Sequence, residues 1–322
     1  MNPLAVKNEL DAYGELSMGE VVEAFTQTKN SEHTRRSYLN DITGFFKPLD
    51  GVVFLTDFFQ IPYPQVVEQV KSFLQGSTKQ DGLSPRVLNP KTVNRKAYAL
   101  SSFFGYLMLV YNYPKNPTKH FIPLKTARRS TTASLSRAEV IDFLAFAKAE
   151  HRLSENKFRD YLILVFLFGL ALRRDEVANL KWGDIDFQQS TANVYQKGGS
   201  LKLLPLPIGI AYLLGEFKKL YGDTCPYIFR PVRNNRTKEL NKPIRTEYIF
   251  AMVRKIAVQV VPDKNITPHS FRKTFIELAL SNKEDFISIV NATGHATVEM
   301  VKYYDTRDAL KNNAIHSIAN II

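Results

Sequence analysis

Cysteine is nearly absent: 322 residues include one, Cys225. That excludes an internal disulfide framework and a cysteine-built metal site, and it fits a reducing compartment in which Cys225 is a small buried thiol. Long apolar runs are missing as well. The most apolar stretch, Tyr161 to Leu172, is closed by Asp160 and Arg173 and is too short to span a bilayer, so it reads as a core helix. The opening MNPLAVKNELDAYGEL carries acids and no basic-then-apolar order, so no secretory signal is expected. Acidic residues are scarce relative to basic ones, 31 against 43, leaving a net charge of +12. Such an excess fits a polyanionic partner, nucleic acid first, although a solvated basic surface gives the same count. What is present, 44% hydrophobic residues in a chain of this length, suffices for a sizeable core and favours two domains over one.

Helical periodicity dominates from about residue 15 to 120. TRRSYLNDITGFF places Tyr38, Ile42, Phe45 and Phe46 on one face, and NPKTVNRKAYALSSFFGYLMLVY does the same with Val93, Ala97, Leu100, Phe104 and Leu107. The opposite faces carry Arg35 and Arg36 in the first helix and Lys91, Arg95 and Lys96 in the second, candidates for DNA contact or for a merely solvated face. Periodicity stops between Phe121 and Ala133, in a tract of proline, threonine, serine and basic residues that reads as a linker. A second domain begins near residue 134 with a capping box, Ser136 as N-cap and Glu139 three residues on, ahead of Val140, Phe143, Leu144 and Ala147. Within it, a helix from about 158 to 181 leads to a hairpin signal around Gly198-Gly199. Helical patterns return from about residue 208. The expected fold is therefore mainly α with a small β-sheet or hairpin.

Several residues of the second domain are suited to meeting a phosphate. Arg173 and Glu176 are three apart, expected on one face at the end of the apolar helix. In ITPHSFRKTF, Thr267 as N-cap and Pro268 at the first helical position put His269 and Arg272 on one face of a first turn, where free N–H groups favour an anion. Lys197 precedes the hairpin glycines, with Lys202 in the returning strand as its alternative. His295 follows Gly294, and Tyr304 lies nine residues beyond it. Each feature alone has a bland reading: an Arg–Glu pair, a capping histidine, a solvated lysine, a packed aromatic.

Taken in order, GLALRRDEVANLKWGDID, HSFRKTF and TGHATVEMVKYY resemble the tyrosine recombinases of the phage-integrase family, over nearly the whole chain. The resemblance implies a helical core-binding domain over residues 1–120, a linker over 121–133, and a mixed α/β catalytic domain over 134–322 ending in a tail helix. It implies catalysis by Arg173, Lys197, His269, Arg272, His295 and the nucleophile Tyr304, with Glu176 supporting, and neither metal nor other cofactor. Tyr303 is then a packing neighbour. Implied partners are double-stranded DNA, four protomers on two DNA sites, and an accessory DNA-bending factor, with no membrane and a cytoplasmic, nucleoid-associated location. The tail, with Leu310, Ala314, Ile315, Ile318 and Ile322 at roughly helical spacing, is expected in a neighbouring protomer's groove or on its own domain. GLALR stands where many members have Thr-Gly-Leu-Arg, and Asp305-Thr306 where many have Thr-His, which favours a mobile-element integrase over a chromosome-dimer resolvase. The competing readings are a type IB topoisomerase-like enzyme and an inactive DNA-binding accessory protein.

Overall fold

The structure is a computed structural model, and it describes residues 16–76, 88–126, 130–196, 199–233, 239–305 and 307. The chain divides into two compact units, Met1–Thr126 and Ala127–Ile322.

The first unit contains α1 (Met18–Gln27), α2 (Glu32–Phe46), α3 (Leu55–Gln60), α4 (Tyr63–Gln75) and α5 (Pro90–Tyr111). Local chemistry explains the starts. Ser17 and Glu20 form a reciprocal capping box on α1, and Asn89 caps α5 with Pro90 in its first turn. Phe25, Phe45, Phe58, Phe103 and Phe104 are fully enclosed at the centre, many of them packed edge to face. The unit reaches past the last helix because the Asn94 side chain donates to the Leu124 carbonyl at 2.9 Å and accepts from the Leu124 N–H at 2.8 Å.

The second unit contains α6 (Arg137–Ala149), α7 (Glu155–Gly169) and α8 (Arg174–Asn179), then a sheet of β1 (Ile185–Asp186), β2 (Thr191–Tyr195) and β3 (Leu201–Pro205). It continues through α9 (Ile208–Tyr221), α10 (Thr246–Val260), α11 (Pro268–Ser281), α12 (Phe286–Thr293) and α13 (Val298–Lys302). The sheet is antiparallel in the order β1-β2-β3, with Val194 opposite Lys202 and Ala192 opposite Leu204. Its core surrounds α7, whose Phe158, Leu162, Ile163, Leu164, Phe166 and Leu167 are all sealed from solvent. A smaller cluster joins Ile276, Leu280, Ile289, Val301 and Tyr304.

One expectation needs correction. The helix anticipated over 158–181 is two helices, broken at residues 170–173, where Ala171 adopts a left-handed φ of 49°. Periodicity alone runs through such a break, because Leu170, Ala171 and Leu172 are as apolar as the helix before them and all three are buried. A left-handed alanine costs on the order of 1 kcal/mol and persists only where its surroundings hold it. Here they do: its carbonyl is taken by Arg272. Among the described residues, no helix is long and apolar enough to cross a membrane.

Candidate active site

The break at Ala171 makes Arg173 the N-cap of α8 instead of the last residue of α7. Glu176, three residues on, accepts from the Arg173 N–H through Oε2 and from the Arg173 guanidinium through Oε1, each at 2.7 Å. The Glu176 side chain is 4% exposed and that of Arg173 31%, so the carboxylate anchors an arginine that still reaches solvent. Glu176 thus holds Arg173 by capping and not from a shared helical face.

Helix α11 begins at Thr267–Pro268, and the Ser270 hydroxyl accepts from the Thr267 N–H. Its first turn presents His269 and Arg272 together. Arg272 is 1% exposed; one terminal nitrogen donates to the Ala171 carbonyl at 2.6 Å and the other to the Thr293 carbonyl. Its Nε is buried with no hydrogen-bond partner among the described residues. An orphaned donor of this kind costs about 1–3 kcal/mol, and an incoming anion would relieve that cost. Burial and then the charge of Arg173 lower the Arg272 pKa to about 10, so it remains a cation at neutral pH.

His295 lies directly after the left-handed Gly294 that ends α12. The Thr293 hydroxyl donates to the Ile289 carbonyl at 2.6 Å and so accepts from His295 Nδ1 at 2.7 Å. That assigns the Nδ1–H tautomer from the hydrogen-bond network and turns Nε2 toward Arg272, 3.5 Å away. Burial and then the charges of Arg272 and Arg173 lower its pKa to about 3. His269 is lowered for the same reasons, burial first and Arg272 next. Both imidazoles are neutral in a site already crowded with positive charge.

Tyr304 follows α13 in a turn, its N–H bonded to the Val301 carbonyl. The ring is 8% exposed, and its hydroxyl is 3.0 Å from His269 Nε2. Tyr303 packs edge-on against it with ring centroids 5.5 Å apart, as a packing neighbour should. A cavity of about 270 Å³ lies beside this cluster, lined by Arg173, Arg174, His269 and Arg272 among others.

The structure thus brings together Arg173, Glu176, His269, Arg272, His295 and Tyr304. Lys197 lies outside the described residues, as does the tail with Leu310, Ala314, Ile315, Ile318 and Ile322. In the first unit Arg36 and Lys91 are exposed, whereas Arg35 is half-buried and donates to the Lys29 carbonyl. Arg95 is ion-paired with the buried Asp41, and the Lys96 ammonium sits 3.9 Å from the Phe73 ring centre. Sequence reasoning missed Lys273. It is 6% exposed and donates to the Thr132 carbonyl at 2.6 Å and the Ser130 carbonyl at 3.3 Å, while the Ser130 N–H donates to the Tyr303 carbonyl. A lysine beside the HSFR run carries no mark of such partners. Among the described residues, no three His, Cys, Asp or Glu side chains gather as a metal site.

A sequence model of the phage integrase family matches residues 133–310, more than half of the chain. The chain belongs to the phage integrase family. It is a tyrosine recombinase, an enzyme of site-specific DNA recombination. The tyrosine recombinase XerA of Pyrococcus horikoshii is 29% identical over 254 residues, covering 78% of this chain and 79% of that protein. The fold is shared with the Tn1549 transposon integrase, solved in complex with transposon right end DNA, at a TM-score of 0.66 and 16% identity over 95% of this chain and 99% of that one. It is shared also with the XerH site-specific recombinase bound to its difH substrate, at 0.63 and 18% over 98% and 96%. Arg173, Glu176, His269, Arg272, His295 and Tyr304 all fall inside the matched span.

Proposed function

We propose that this recombinase cleaves and rejoins duplex DNA through a 3′-phosphotyrosine at Tyr304, serving a mobile element. The single observation that carries this reading is the Tyr304 hydroxyl, 3.0 Å from Nε2 of the exposed His269, with the buried Arg272 three residues on in the same helix. A neutral phenol is a poor nucleophile, and the neutral imidazole of His269 is placed to draw off its proton as the Tyr304 oxygen attacks phosphorus. The bond from phosphorus to the 5′ oxygen breaks, and that oxygen takes its proton from Lys197. Arg173 and Arg272 hold the non-bridging oxygens of the transition state, helped by His295, whose basicity rises once a phosphate anion offsets the neighbouring cations. The phosphotyrosine retains the energy of the phosphodiester. A 5′ hydroxyl of another strand therefore reverses the step and completes exchange without ATP.

Double-stranded DNA is the substrate, and four protomers on two sites are the working assembly, with an accessory DNA-bending factor where site geometry demands one. The helical unit adds phosphate contacts through Arg36 and Lys91, and through Arg35, Arg95 and Lys96 to the extent that their present partners release them. The protein works in the cytoplasm on nucleoid DNA.

Covalent trapping tests this reading. The full-length protein is incubated in EDTA with nicked genomic fragments, and adducts that survive SDS are collected and their DNA sequenced. Adducts from the parent and Tyr303→Phe, but not from Tyr304→Phe, are expected. Adducts that persist in Tyr304→Phe would remove the assigned nucleophile, and adducts scattered over unrelated sequences would favour topoisomerase-like relaxation.

A further inference from the structure

Three consecutive residues of α11 serve two different sides of the catalytic unit. Arg272 reaches the Ala171 and Thr293 carbonyls. The next two turn instead to the chain that precedes α6: Lys273 donates to the Ser130 carbonyl at 3.3 Å and the Thr132 carbonyl at 2.6 Å, and the Thr274 hydroxyl accepts from the Leu135 N–H. Lys264, just ahead of α11, adds a bond at 3.3 Å to the Ser134 carbonyl. Residues 130–135 therefore form a strap, fastened by Lys264, Lys273 and Thr274. Lys273 is the costly fastener. It is 6% exposed, and Glu277 one turn on is 3.4 Å from its ammonium, so a cation has been taken out of water largely to bind main-chain carbonyls.

The strap leads to the nucleophile. Ser130 donates its N–H at 3.1 Å to the carbonyl of Tyr303, at the end of α13 where carbonyls lack helical partners. The peptide that joins Tyr303 to Tyr304 is planar. This bond and the one from the Tyr304 N–H to the Val301 carbonyl therefore hold both sides of a single plane, which ends at the Tyr304 Cα. The far end of the same residue, its hydroxyl, meets His269 Nε2 at 3.0 Å. His269 and Lys273 are four apart on α11 and so neighbours on one face. A closed circuit results: from His269 to the Tyr304 hydroxyl, along the tyrosine to the Tyr303 carbonyl, on to Ser130, and through Lys273 to the next turn of the same helix.

We propose that Lys273 is a positioning residue for the nucleophile: by holding the Ser130 and Thr132 carbonyls it fixes the peptide plane between Tyr303 and Tyr304, and with it the line along which the Tyr304 hydroxyl attacks. This rests on Tyr304 being the nucleophile. Lys273 forms and breaks no bond in the reaction. It acts through the main chain of Ser130 and Tyr303, while His269 acts on the hydroxyl itself.

The test uses the full-length protein and the duplex recovered by covalent trapping. Lys273→Met keeps the length of the side chain and removes its donors, whereas Lys273→Arg keeps both donors and charge. With protein saturating, phosphotyrosine formation in a single turnover should slow on the order of 100-fold in Lys273→Met, the scale for a reacting group misplaced by about 1 Å. Non-covalent affinity for the duplex should stay close to parental, and Lys273→Arg should recover most of the rate. Amide hydrogen exchange reports position directly: in Lys273→Met it should quicken over residues 130–135 and 298–305 and stay parental in α7, which also shows that the variant is folded. Ser130→Pro deletes the N–H given to Tyr303 while Lys273 stays in place, and it should slow cleavage to a similar degree. The double variant should be no slower than the slower single one, because both changes cut one chain of contacts. Parental cleavage by either single variant, losses that multiply in the double variant, or slow Lys273→Met with parental exchange over 298–305 overturns the positioning role. So does a loss that vanishes relative to the parent at higher pH. That result would assign Lys273 to the His269 pKa, which its charge lowers after desolvation and the charges of Arg272 and Arg173. Phosphotyrosine-type adducts from Tyr304→Phe would instead remove the nucleophile on which the proposal stands.

Discussion

His295 is a base held among cations, and its depressed pKa has a definite consequence for stability. In the unfolded chain it takes up a proton below about pH 6.5, whereas in the folded protein it does so only near pH 3. Between those values the unfolded state binds more protons, so stability is complete above pH 6.5 and declines as pH falls toward 3. Thermal melting followed from pH 7.5 to 4.5 should show a falling midpoint, and His295→Gln should flatten that fall relative to the parent. Arg272 makes a different demand. Its fork serves the Ala171 and Thr293 carbonyls at once, a geometry that a single ammonium cannot reproduce. Arg272→Lys is expected to lower single-turnover cleavage by roughly 10²–10³-fold, the scale for losing one preorganised donor to a developing oxyanion.

Helix α11 is the element on which the site is assembled. His269 meets the Tyr304 hydroxyl and Arg272 the Ala171 and Thr293 carbonyls, while the fully buried Thr274 accepts from the Leu135 N–H at 2.9 Å and donates to the Ser270 carbonyl at 2.8 Å. Thr274→Val keeps the shape and strands the Leu135 N–H, so chemical denaturation should report a loss of about 1–3 kcal/mol. The Thr267 and Pro268 start of this helix was legible in the sequence because capping is local. The break in the preceding apolar run was not. Nothing in GLALR marks Ala171 for a left-handed turn, since the reason for the turn is a guanidinium 101 positions away in the chain.

Across the whole molecule, the charge of +12 predicts DNA binding that weakens steeply with salt. Replacing exposed Arg36 or Lys91 with alanine should reduce the slope of log K against log salt by about one for each phosphate left without its cation. Arg95→Ala should behave differently, because Asp41 is 5% exposed and would lose its hydrogen-bonded partner, keeping only the charge of Lys96, at a cost of about 1–3 kcal/mol of stability. Removing the residues after Asn312 tests the tail: synapsis of two sites is expected to fall more than single-site binding, and gel mobility of the two complexes separates these effects.

The sequence by itself determined the helical character of the first unit, the capping box at Ser136, the hairpin and the order of the candidate catalytic residues. Each of these follows from local periodicity, turn chemistry or spacing within a few residues. Only the tertiary structure decided that Tyr304 meets His269 across 35 positions, that Arg272 is held by Ala171 and Thr293, and that Lys202 turns inward to Ala292 across 90. The acceptors in the last three cases are main-chain carbonyls. Every residue carries one, so composition and spacing hold no trace of which carbonyl will be left free at a helix end or a strained turn, and packing alone selects it.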